Sequence, residues 1–253
     1  MILSRYLTRG LAAAALLTTT SLGAFALDLS DMSSDERAAF RAEVRAYLLE
    51  NPEVLMEAVD VYNQRQQAAQ AQGEQQLIAA HADDIFHAEH DLVMGNPEGS
   101  LTFVEFLDYN CGYCKKAHPE VQSLLDTDGD IRLIVKEYPI LGEGSVLAAR
   151  FALATKFVAG TEAYAAIHDM LMESRSAISE ASLARMASDL DLDADAINAA
   201  MDSDEVNAVL AENQRIGAIL QVTGTPSFIM GDQMVRGYVP IDAMLEIVDE
   251  LRG

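Results

Sequence analysis

Cysteine is scarce in this chain: there are two, at positions 111 and 114, in 253 residues. Without a third thiol there is no second disulfide, and without a second pair there is no four-cysteine metal site. Positive charge is also short, with 17 lysines and arginines against 40 acids and a formal net charge of −23. A surface of that sign repels phosphate backbones, which sets nucleic acid aside as a partner. Proline occurs only six times in a chain that is 50% hydrophobic, a composition that excludes wholesale disorder. Long apolar runs are missing too; the best of them, residues 11–22, is about 12 residues long against the roughly 20 a membrane-spanning helix needs.

That short run has another use. Arg5 and Arg9 precede it and Ala24-Phe25-Ala26 follows it, so residues 1–26 have the charged start, apolar middle and small-x-small end of a secretory signal peptide. Cleavage is expected after Ala26, leaving a soluble product in the periplasm, where a disulfide persists.

Residues 27–76 are expected to form a helical arm. Phe40, Val44, Tyr47 and Leu48 recur at helical spacing; Asn51-Pro52-Glu53 restarts the helix with Asn51 as cap; Val54, Leu55, Ala58, Val59 and Tyr62 continue the stripe. The glutamine-rich stretch 64–72 and Gly73 then offer nothing to pack, which makes them a connector. An apolar stripe held away from the rest implies self-association. After a short helix near 77–87, the pattern expected is an edge strand (91–94), a strand (101–107), a helix (111–125) and a parallel strand (131–138). About four helices follow within 145–221, then two short strands and a final helix opening at Pro240. Residues 77–144 and 222–253 thus read as two parts of one small α/β domain, with a helical domain, 145–221, inserted between them.

The chemistry sits at the end of the first central strand, in Cys111-Gly112-Tyr113-Cys114. At a helix start, unpaired N–H groups and the helix dipole favour a thiolate at Cys111, the expected exposed attacker, while Cys114, one turn on, resolves the mixed disulfide. Gly112 and Tyr113 shape the turn between the sulfurs. Glu105 lies within an apolar strand, where burial raises a carboxyl pKa and fits it to relay the proton of Cys114. Thr225-Pro226 precedes a terminal strand, the place for a cis proline that leaves backbone free to pair with an extended substrate. His118 is expected to pack near the kink made by Pro119. The five histidines are scattered in sequence, and no metal or cofactor is expected.

The segments 104–116, 136–142 and 224–228 resemble the thioredoxin superfamily, and in particular its periplasmic DsbA-like branch with the ScsC-type proteins. The resemblance implies a thioredoxin fold with an inserted helical domain, preceded by an N-terminal helical oligomerisation arm. It implies Cys111 as nucleophile, Cys114 as resolving thiol, Glu105 as buried acid, Pro226 as cis proline, and Thr225, Gly112 and Tyr113 against substrate. Gly112-Tyr113 and Thr225 are the combination of DsbC-type isomerases rather than of DsbA-type oxidases. The expected function is therefore a disulfide isomerase or reductase for exported proteins. A disulfide-donating oxidase is the alternative, and a non-catalytic envelope chaperone a distant third. The implied partners are a membrane thiol reductase of DsbD or ScsB type and further copies of the chain, as a trimer or else a dimer.

Overall fold

The structure, a computed structural model, describes residues 32–253, so the signal peptide and its cleavage point lie outside the described residues. Packing divides the chain into two units, one ending at Val61 and the other running from Tyr62 to Gly253.

In the first unit, helix α1 (Ser34–Glu50) opens on a reciprocal cap: the Ser33 hydroxyl accepts from the Glu36 N–H, and the Glu36 carboxylate accepts from the Ser33 N–H at 2.9 Å. No residue of α1 is buried. Phe40, Val44, Tyr47 and Leu49 are exposed, as are Leu55, Met56, Val59 and Val61 at the start of α2 (Glu53–Ala80). Asn51 departs from expectation: instead of capping α2 it closes α1, its side-chain amide donating to the Tyr47 carbonyl at 2.9 Å.

Two further expectations change at the other end of α2. The helix does not stop for the glutamine-rich stretch or Gly73 but continues to Ala80, and the next helix, α3, is confined to Ala82–Phe86. Alanine, glutamine and glutamate are strong helix formers, and one glycine inside a helix, here half-buried, costs about 1 kcal/mol. The end of the helix is anchored in the second unit. There Ile78 is buried, Glu74 pairs with Arg236 at 2.9 Å, and Gln75 donates to Asp232 at 3.1 Å.

The sheet comprises β1 (Leu92–Gly95), β2 (Leu101–Leu107), β3 (Ile131–Glu137), β4 (Ser227–Met230) and β5 (Gln233–Arg236), in the order β1-β3-β2-β4-β5. Only β2 and β3 pair in parallel, across the crossover helix α4 (Gly112–Asp128); the other pairings are antiparallel. Between β3 and β4 run five helices, one more than expected: α5 (Glu143–Ala159), α6 (Thr161–Glu173), α7 (Glu180–Asp189), α8 (Ala194–Ala200) and α9 (Asp204–Ile219). Helix α10 (Ile241–Arg252) closes the chain behind Pro240. This is a mixed α/β thioredoxin-like core with extra helices and an N-terminal helical segment.

Alternation along β2 sorts its side chains between two cores. Val104 and Phe106 pack with Ile85, Ile134, Ile216 and Ile229, whereas Phe103 packs with Ala117, Val121, Met244 and Val248 on the α4 and α10 side. Residue 105 shares the parity of 103, which turns its carboxyl toward α4. A third core fills the helical block around Phe151, Tyr164, Ile167, Leu171 and Val206. Each fully buried side chain of this size contributes roughly 1.5–3 kcal/mol.

Candidate active site

Cys111 is the N-cap residue of α4, and Cys114 sits in its first turn. Asp108 builds the approach. Its Oδ1 accepts from the Asn110 N–H at 2.8 Å, and its Oδ2 accepts from the N–H groups of Ile140 and Leu141 at 2.8 and 3.0 Å. One carboxylate therefore ties the turn after β2 to the loop leaving β3. Sequence reasoning missed Asp108, although Asp-x-Asn before a helix is a turn signal.

Both thiols are free and buried. The expectation of an exposed Cys111 is corrected: the residue keeps 6% of its surface, because the segment before β4 closes over it, while Tyr113 beside it is 65% exposed. The Thr225–Pro226 peptide is cis, and the Cys111 thiol donates to the Thr225 carbonyl at 3.1 Å. The Thr225 hydroxyl oxygen is buried with no hydrogen-bond partner. It is the group that can donate once Cys111 ionises.

The electrostatics divide the pair. The Cys111 pKa is lowered to about 5, first by a hydrogen bond from Cys114 and then, against the opposing effect of burial, by Thr225 and the backbone N–H groups of Cys114 and Tyr113. Burial pushes Cys114 far up, and the Cys111 sulfur and the Glu105 carboxylate add to the rise. Glu105 is itself buried at 4% exposure, its Oε1 without a partner, and burial followed by the charge of Cys111 raises it to about 8. The arrangement holds one ready nucleophile, one protonated reserve thiol and an acid able to exchange protons near neutral pH.

A second buried acid lies nearby and was not anticipated. Glu137, at the end of β3, accepts from the hydroxyls of Tyr109 and Tyr164 at 2.6 and 2.8 Å, yet burial still raises it to about 8. The Tyr109 oxygen also meets His168 Nδ1 at 3.1 Å. His168 in turn stacks edge-on against His118, so two of the five scattered histidines come together. Lys115 donates to the Ser174 carbonyl, a further tie from α4 to the inserted helices.

A strand ending in a thiol pair at a helix start, faced by a cis proline, is matched by a family model described as the DSBA-like thioredoxin domain over residues 102–249. The chain belongs to that family. A second model, the copper resistance protein ScsC N-terminal domain, matches residues 36–69. Among solved structures, a thioredoxin-like oxidoreductase from Silicibacter pomeroyi DSS-3 is 40% identical, with a TM-score of 0.63 over 67% of this chain and 96% of that one. Salmonella enterica Typhimurium BcfH is 27% identical with a TM-score of 0.69, over 87% of this chain and 97% of that one. In sequence, a Na(+)/H(+) antiporter NhaA 3 from Salinispora tropica is 29% identical over 156 residues, 62% of this chain. The chain spans about a quarter of the length of the curated relatives it matches, 24% of each.

Proposed function

We propose that the chain is a thiol–disulfide oxidoreductase that works in the periplasm on exported proteins as a disulfide isomerase or reductase, with Cys111 as nucleophile. In this reading residues 27–76 form an association arm that gathers copies, a trimer in preference to a dimer. Residues 77–144 and 222–253 carry the catalytic domain, and residues 145–221 the helical insertion. The observation that carries the direction is the run of exposed apolar side chains on α1 and the start of α2, from Phe40 to Val61. Several catalytic sites held together can act on one misfolded client, and the same clustering hinders docking on a membrane oxidase.

The Cys111 thiolate attacks a client disulfide: one sulfur–sulfur bond forms, the client's own breaks, and a client thiolate leaves. Client backbone lies against Thr225 and Pro226, with Gly112 and Tyr113 bordering the bound segment. In isomerisation a client thiolate later attacks the mixed disulfide, releases Cys111 and leaves the electron count unchanged. If the client stalls, Cys114 gives its proton to Glu105 and attacks the Cys111 sulfur. The client departs reduced by two electrons, and a membrane thiol reductase of DsbD or ScsB type restores the dithiol.

A disulfide donor is the second reading, favoured by the Cys111 thiolate itself, since stabilising the reduced form makes the disulfide more oxidising. Trapping the pair with an alkylating mass tag in intact cells separates the two. A mostly reduced pair, with scrambled-disulfide repair lost in Cys111→Ser, is the expected result. A mostly oxidised pair rejects isomerase and reductase work in favour of donation.

A further inference from the structure

Three potential ligands converge where α4 meets α6. His118 lies one turn beyond Cys114; His168 and Asp169 are adjacent on α6. His118 Nε2 is 3.4 Å from Asp169 Oδ1, and the two imidazole rings meet with centroids 5.4 Å apart at 66°. One nitrogen of each ring and one carboxylate oxygen of Asp169 lie within 4.8 Å of one another. These atoms come from residues 50 positions apart, which is why no spacing in the sequence announces them.

Their setting suits a cation. Both imidazoles are buried, His168 at 2% and His118 at 8% exposure, and a neutral imidazole nitrogen is a common ligand of such ions. Asp169 Oδ1 is buried, and no hydrogen bond from the described residues reaches it. An outer shell is also built. The Tyr109 hydroxyl spends its proton on Glu137 at 2.6 Å, so at 3.1 Å it receives the Nδ1 proton of His168, leaving Nε2 as the free lone pair. Metal-ligating histidines are oriented by this kind of bond on their other nitrogen. Lys115 and Lys116, the cations nearest His118 in sequence, are engaged elsewhere, with the Ser174 carbonyl and the Tyr238 ring.

We propose that His118, His168 and Asp169 bind a divalent first-row transition cation, of which Zn2+ is the test case, and that the ion clamps the redox helix α4 to α6. Two nitrogens and one oxygen form the donor set such ions accept, and the donors need only draw in to about 3.3 Å apart to surround an ion at 2.0–2.1 Å. His118 also borders a surface depression of 470 Å³, lined by Gln122 and Glu173 and by the cations Lys115 and Arg175, from which water or the Glu173 carboxylate can supply a fourth ligand. The site is separate from the thiol pair and asks nothing of it.

The test uses the full mature chain with Cys111 and Cys114 joined as a disulfide, so that neither sulfur serves as ligand. After chelator treatment, titration calorimetry with Zn2+ at pH 7.5 is expected to give one equivalent per chain. Asp169→Asn and His118→Gln, both at the outer side of the cluster, are each expected to weaken binding at least tenfold with far-ultraviolet circular dichroism unchanged. Co2+ should show visible bands of tetrahedral intensity that Asp169→Asn abolishes. The proposal is overturned if the oxidised chain binds no stoichiometric Zn2+, if both variants bind as tightly as the parent, or if binding is lost instead in a His81→Gln, His87→Gln, His90→Gln triple variant.

Discussion

At the scale of single residues, three acids pull the pH dependence of stability in opposite directions. Cys111 titrates near 5 in the fold and near 8.5 in an unfolded chain, so its contribution to the reduced form is complete above about 8.5 and is lost as pH falls toward 5. Glu105 and Glu137 behave oppositely: raised to about 8 by burial, they contribute fully below about 4.3, where the unfolded carboxyl also keeps its proton, and that contribution is lost as pH rises to about 8. Of these three groups only Cys111 is removed by forming the disulfide; Cys114 is removed with it, but burial pushes its pKa far up, so its effect falls above about pH 8.5. The unfolding free energy of the reduced form minus that of the oxidised form should therefore climb between about pH 5 and 8.5, at up to about 1.4 kcal/mol per unit. Urea titrations of both forms at stepped pH measure it, and a flat difference would refute a thiolate at Cys111. In the oxidised form Glu105→Gln removes one of the two opposing carboxyls, so its stability should decline less steeply from pH 5 to 8 than the parent's.

At the scale of elements, the cis-proline segment depends on how closely α9 approaches the end of β3. A Cβ on Gly217 would come within 2.4 Å of the edge of the Tyr138 ring, whose hydroxyl donates to the Val222 carbonyl at 3.1 Å, three residues before Thr225. Gly217→Ala should thus destabilise the fold by about 1–3 kcal/mol, the usual cost of overfilling a packed core. It should also shift the Cys111 titration, because Tyr138 braces the segment carrying Thr225. Thermal melts and thiolate absorbance check both, and an unshifted titration would mean that the loop is held by other contacts. The strands and α4 were legible in the sequence because each rests on a local signal: alternation in the strands, a turn before the helix. What was not legible is non-local. Tyr109 meets Glu137 and His168 across 28 and 59 residues, and no periodicity encodes such contacts. The covering of Cys111 depends on Thr225, 114 residues later. The anchoring of the end of α2 is non-local in the same way: Glu74 pairs with Arg236, far along the chain, and Ile78 is buried.

At the scale of the whole molecule, apolar exposure and net charge compete. Helix α1 buries nothing of its own, and Phe40 and Val59 stand 44% and 49% exposed. Covering such side chains with those of another copy gains about 25 cal/mol per Å². Each copy also carries the large acid excess, so association works against like-charge repulsion that salt screens beyond about 10 Å at 0.1 M. Hydrophobic contact is not weakened by the same salt. The mature chain should therefore sediment as an oligomer whose dissociation constant falls as ionic strength rises from 0.02 to about 0.2 M. Phe40→Glu with Val59→Glu should bring it to monomer mass while the Cys111 titration is unchanged, because no active-site group described above lies before Tyr62. Light scattering and thiolate absorbance on the same samples decide the matter. An oligomer that survives both substitutions would place the association surface outside the arm and remove the main support for disulfide shuffling over disulfide donation.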